Sequence, residues 1–117
     1  MSMSKEEIEA VMWDHIKAVG SGDMDKILSH YTDESLIISP DGTFKGLDNL
    51  PPFFTSWIEQ VTPEMGKAFN ITHQHIRDEV AYIVWNMGDA VPFATDTYVM
   101  RDDKIMIQTF APYIPNG

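Results

Sequence analysis

Cysteine is absent from the 117-residue sequence, which excludes a disulfide scaffold and thiol chemistry. Basic residues are scarce, eight Lys and Arg against eighteen Asp and Glu, for a formal charge of −10. Such a surface repels phosphate backbones and anionic lipid, so neither nucleic acid nor a membrane is an expected partner. No apolar run approaches the ~20 residues of a membrane span. The opening Met1-Ser2-Met3-Ser4-Lys5-Glu6-Glu7 lacks the apolar stretch of a secretory signal, and a cytoplasmic location is expected. Repeats, linkers and low-complexity segments are missing, so residues 1–117 are read as one domain. The signatures G-x-x-x-x-G-K, G-x-G-x-x-G, G-x-S-x-G and H-E-x-x-H do not occur, and no cofactor or metal is expected.

What the chain does have is apolar content: 44% overall and 11% aromatic, enough for a packed core and too much for disorder. Ser4 and Glu7 stand in capping-box spacing, and Ile8, Val11, Met12, His15, Ile16 and Val19 then recur at helical steps. Gly20-Ser21-Gly22 ends this helix, and Asp23 caps a short second one through Ile27, Leu28 and Tyr31. Leu36-Ile37-Ile38 reads as a strand closed by Pro40-Asp41-Gly42, with Thr43-Phe44-Lys45 returning. A third helix begins near Asp48 or Asn49, because Pro51 and Pro52 suit only a first turn. Thr62-Pro63-Glu64-Met65-Gly66 breaks it. Strands are predicted at about 67–76, 81–87, 93–100 and 104–110, with hairpin tips at Asp78-Glu79 and Asp102-Asp103 and an irregular tail from Pro112. Helices followed by an antiparallel meander mean an α+β fold with the helices on one face of a sheet.

Three segments resemble one superfamily. They are Gly22 to Glu34, Ser39-Pro40-Asp41-Gly42-Thr43-Phe44-Lys45-Gly46, and Asp96-Thr97-Tyr98-Val99-Met100-Arg101-Asp102-Asp103-Lys104-Ile105. In this order they are similar to the nuclear transport factor 2-like superfamily, which includes SnoaL-like polyketide cyclases and ketosteroid isomerases. The resemblance implies a cystatin-like cone, with N-terminal helices packed in a strongly curved, mostly antiparallel sheet around an apolar cavity. It also implies a homodimer and a small apolar ligand. It does not fix an activity, since this fold hosts both enzymes and binding modules.

The ketosteroid isomerase pattern has a tyrosine where this chain has His15, its aspartate base where this chain has Ser39, and its oxyanion-donating acid at Tyr98. Serine cannot serve as a carboxylate base, so steroid-type isomerisation is disfavoured. Asp96, Tyr98 and Met100 alternate on one strand and share a face. An Asp96–His15 pair for proton transfer, with Tyr98 donating to an enolate oxygen, is the catalytic reading implied by SnoaL-like cyclases. The other reading is a binding or dimerising module in which Asp96 and His15 only satisfy each other. Ligand contacts are expected from Tyr31, Ser39, Phe54, Trp57, Trp85, Met100 and Phe110. His73 and His75 form an H-x-H on the face of Phe69 and Ile71, expected to be cavity wall or dimer surface and not a metal site. His30 is expected to be solvated. Ile76, Val84 and Val99 are expected on the sheet face opposite the cavity.

Overall fold

The computed structural model describes residues 3–115. Its first helix, α1 (Lys5–Ser21), starts on the anticipated capping box: Ser4 accepts from the Glu7 backbone, and the Glu7 carboxylate accepts from the Ser4 backbone at 2.7 Å. Ile8, Met12, His15 and Ala18 are its buried residues, at the spacing that makes one helical stripe. Gly22 closes it in the left-handed conformation, and Asp23 caps α2 (Met24–Leu28). Strands β1 (Leu36–Ser39) and β2 (Gly42–Lys45) form a hairpin. Then comes α3 (Leu50–Gln60), with Pro51 and Pro52 in its first turn. The expected break after α3 contains a further short helix, α4 (Pro63–Lys67), whose Thr62 accepts from the Met65 backbone. A cap followed by proline at the first helical position is itself a helix start, so the break at 62–66 ends α3 and also opens a new helix.

Four long strands complete the chain: β3 (Phe69–Arg77), β4 (Val80–Met87), β5 (Val91–Arg101) and β6 (Lys104–Tyr113). The six-stranded sheet runs β2-β1-β6-β5-β4-β3, antiparallel except where β1 lies parallel to β6. Asp102 and Asp103, both with positive φ, make the tight β5–β6 turn. Strand β6 continues through Pro112 and Tyr113, in place of the irregular tail expected from Pro112. Pro112 lies beyond the residues paired with β1, where β6 has a free side and a missing N–H is tolerated.

A bulge reverses one expectation about β3. Between Ile71 and His73 the pairing slips, so Ile71 faces Trp85 and His73 faces Val84. One extra residue swaps the faces of everything after it. His73 and His75 therefore leave the side of Phe69 and Ile71 and stand exposed on the outer face. Ile76, expected outside with Val84 and Val99, pairs with the fully buried Ala81 and packs on the core.

The helices cover the inner face of the sheet. Ile8, Met12, Ile27, Leu50 and Phe54 from the helices meet Ile83, Met100 and Ile105 from the strands in one core. Among the described residues no helix is long and apolar enough to cross a membrane.

Candidate functional site

Between α1, α3, α4 and the inner sheet face lies a cavity of about 640 Å³, within the range of small-molecule sites. Phe53, Phe54 and Trp57 of α3 supply one wall, and Phe69, Trp85 and Phe110 of the sheet supply the other. Trp57 meets the sheet wall edge to face, 5.1 Å from Phe110 and 6.0 Å from Trp85, and those two rings stack on each other. Trp57 is only partly buried, because one side of its ring borders the cavity.

Four buried polar side chains form the floor: His15 from α1, Asp96 and Tyr98 from β5, and Gln108 from β6. Alternation on β5 carries Asp96 and Tyr98 inward together, as the sequence implied. The Asp96 carboxylate is the acceptor on which the floor converges. Trp85 Nε1 donates to Oδ1 at 2.7 Å, Gln108 Nε2 donates to Oδ2 at 2.9 Å, and the Tyr98 hydroxyl donates to Oδ2 at 3.4 Å. Burial pushes the Asp96 pKa up to about 7, against the opposing pull of its bonds from Trp85, Gln108 and Tyr98. The acid thus sits at the proton affinity that a general base needs near neutrality.

His15 occupies the cavity but does not pair with Asp96. Its Nε2 lies 3.1 Å from the Tyr31 hydroxyl, which in turn donates to Gln108 Oε1. With the Tyr31 proton committed to Gln108, Tyr31 accepts from His15, which is therefore the Nε2–H tautomer. Burial, and then the neighbouring His30, lower the His15 pKa to about 3. The expected Asp96–His15 pair is therefore not formed, and His15 is a neutral imidazole bonded to Tyr31. His30 also departs from expectation: it is buried, with its ring 5.6 Å from that of His15 in a T-shaped arrangement. The Nδ1 atoms of both histidines are enclosed without a hydrogen-bond partner among the described residues. Burial first, and then the Asp96 charge, raise the Tyr31 and Tyr98 hydroxyls well above their ordinary pKa, so both remain protonated donors.

Of the expected contacts, Phe54, Trp57, Trp85 and Phe110 line the cavity. Tyr31 lies behind the floor and reaches it through Gln108. Met100 is fully buried in the core next to Ile105 and is not a wall residue. Ser39 belongs to the β1–β2 turn, where its hydroxyl accepts from the Asp41 backbone at 3.2 Å, and it is not part of the cavity. Sequence reasoning missed Gln108. Its signal was alternation with the inward Phe110; a count from the buried Ile105 instead puts Gln108 outside, because the β5–β6 register slips between Ile105 and Ile107, opposite Val99 and Met100. Among the described residues no group of three or more His, Asp or Glu could hold a metal ion.

No family model matches the sequence, and no curated protein is detectably similar to it. Solved structures are similar at low identity. A SnoaL-like protein of unknown function from Burkholderia thailandensis superposes with a TM-score of 0.74 at 16% identity, over 95% of this chain and 98% of that one. A nuclear transport factor 2-like protein from Burkholderia xenovorans gives 0.72 at 17% identity, over 94% and 85%. A protein with a cystatin-like fold from Methylobium petroleophilum gives 0.74 at 14% identity, over 100% and 82%. With its helices on one face of a six-stranded, mostly antiparallel sheet, this chain has the α+β fold of the SnoaL-like and nuclear transport factor 2-like proteins.

Proposed function

We propose that the protein acts by acid–base chemistry on a small, largely apolar carbonyl compound, with Asp96 as the base. The observation that carries this reading is a carboxyl group with a pKa near 7, held by three donors at the floor of an aromatic cavity. In the ionised form, Asp96 takes a proton from the carbon next to the carbonyl. The C–H electron pair becomes the enolate double bond, and charge moves to the oxygen. Tyr98, whose 3.4 Å bond to Asp96 is the longest of the three, turns its hydroxyl to that oxygen. The protonated Asp96 then returns the proton, which suits isomerase, cyclase or dehydratase chemistry. His15, neutral and bonded to Tyr31, takes no part in the transfer.

Deuterium uptake by 2-tetralone in heavy water, followed by NMR, tests this. Acceleration over buffer by at least about a hundredfold is expected, with loss of that acceleration in Asp96→Asn. If 2-naphthol binds in the cavity but exchange is not accelerated, the protein is a non-catalytic binding module.

The assembly that goes with this reading is a homodimer through the outer sheet face. Support comes from the large apolar side chains exposed there, among them Tyr82, Phe93, Ile107 and Tyr113, the last at 58%. Sedimentation equilibrium at micromolar concentration should report twice 13.3 kDa. A clean monomer overturns it.

A further inference from the structure

The mouth of the cavity differs from its floor by one charge. Its exposed rim consists of Gly20, Ser21 and Gly22 at the end of α1, with Thr62, Pro63, Gly66 and Lys67 around α4. Among the described residues, Lys67 is the sole lysine or arginine bordering the cavity. It makes no ion pair with any described residue, although Glu64 stands one turn earlier and the chain carries a formal charge of −10. Of the other lysines, Lys45 lies 3.8 Å from Glu34 and Lys104 donates to the Ser29 carbonyl at 2.6 Å, while Lys5, Lys17 and Lys26 also make no ion pair with any described residue, so it is its place at the mouth that sets Lys67 apart.

The floor offers no cation to a carboxylate. Its histidine is neutral, and its acid is already the convergence point for the nearby donors. Everything between floor and rim is predominantly apolar, including Ile16, Val19, Phe53 and Ile58. A negatively charged group entering against the field of this protein meets one place that favours it.

We propose that the cavity takes an amphiphilic anion, an aromatic or alicyclic carboxylate whose carboxylate pairs with Lys67 at the mouth. Its neutral hydroxyl or carbonyl oxygen lies at the Asp96 end. This inference rests on the reading above, which places the neutral oxygen at the floor. Lys67 orients the ligand and sets which compounds enter; it does not touch the reacting atoms. Its purely structural alternative is to complement the carbonyls at the end of α4, where a cation is favourable. That role would change thermal stability without changing selectivity between ligands.

Two probes that share a ring system separate these roles: 2-naphthol, and 6-hydroxy-2-naphthoate with a carboxylate at the far end. Fluorescence titration should show Lys67→Ala weakening the carboxylate probe by about three- to fivefold while 2-naphthol binding stays unchanged. Lys67→Glu should weaken the carboxylate probe further, and Lys67→Arg should restore it. Raising salt from about 20 mM to about 0.5 M should remove most of the wild-type preference. Equal changes for both probes, or a carboxylate probe indifferent to Lys67→Glu, overturn the inference. If 2-naphthol binding still depends on Asp96 in that case, the reading of the floor stands and only the anion is wrong. If neither probe binds the wild-type protein, both fall.

Discussion

Each face of the sheet carries residues that go against the usual relation between polarity and exposure. On the inner face, Asp96, Tyr98 and Gln108 are polar and buried. On the outer face, Val80, Tyr82, Phe93 and Ile107 are apolar and exposed. Strand β5 shows both in one segment, with Ala94, Asp96, Tyr98 and Met100 inward and Phe93, Thr95, Thr97 and Val99 outward. A half-buried strand normally directs its apolar set to the core and its polar set to water. These exceptions carry the two readings proposed above: the inner polar set is the floor of a site, and the outer apolar set is a dimer face.

Three substitutions sharpen this comparison, beginning with the largest expected effect. Phe54 is buried on α3 and packs against His15, Tyr31 and Phe53. Phe54→Ala should lower unfolding free energy by about 3–5 kcal/mol in urea, through lost transfer energy and the void left behind. Trp57, which also lines the cavity, should cost less because its ring is only partly buried, whereas Phe54 is buried. A Phe54 variant costing under about 1 kcal/mol would mean that the helical layer is not packed on the inner face as described.

Asp96 provides the second test, through pH. Its folded pKa is raised, from 3.8 to about 7, so its stabilising contribution is complete below 3.8 and is lost as pH rises through about 7. Asp96→Asn removes that dependence. Stability of the variant relative to wild type should therefore improve by on the order of 3–4 kcal/mol between about pH 4 and about pH 8. His15 has the opposite sign. Lowered from 6.5 to about 3, its contribution is complete above 6.5 and lost as pH falls through about 3. Between those limits the two slopes oppose each other. Urea curves for wild type and Asp96→Asn that stay parallel across this range would show that Asp96 is not buried as an acid.

The smallest effect on the protomer should come from the outer face. Ile107 is 41% exposed and sits between Val99 and Leu36 in the sheet. Ile107→Asp should cost the protomer about 1 kcal/mol or less while abolishing self-association in sedimentation. A variant that remains a dimer places the interface elsewhere.

Much of the fold was legible because its signals are local. The Ser4–Glu7 box, Gly22, the Asp23 cap, the two prolines of α3 and the Asp102-Asp103 turn each specify backbone geometry without help from distant residues. The shared cavity of His15, Asp96 and Tyr98 was legible from alternation together with the family resemblance. What escaped was set by register. The slip after Ile71 turned His73, His75 and Ile76 over, and the slip after Val99 hid Gln108. Neither bulge has a glycine or proline to announce it. The direct His15–Asp96 pair failed for another reason: two long side chains, Tyr31 and Gln108, fill the space between them, and no sequence rule measures that space.

That intervening amide has a further consequence. The chain from His15 through Tyr31 and Gln108 to Asp96 looks like a proton wire, yet an amide donates from nitrogen and accepts at oxygen without exchanging one proton for another. Gln108 is an insulator in that wire. Charge appearing on Asp96 polarises Tyr31 and His15 across it, but no proton follows. In the proposed reaction, a proton collected by Asp96 therefore has no exit through Gln108 toward the helices. It leaves only through the cavity, either onto the bound molecule or, once the mouth is open, to water.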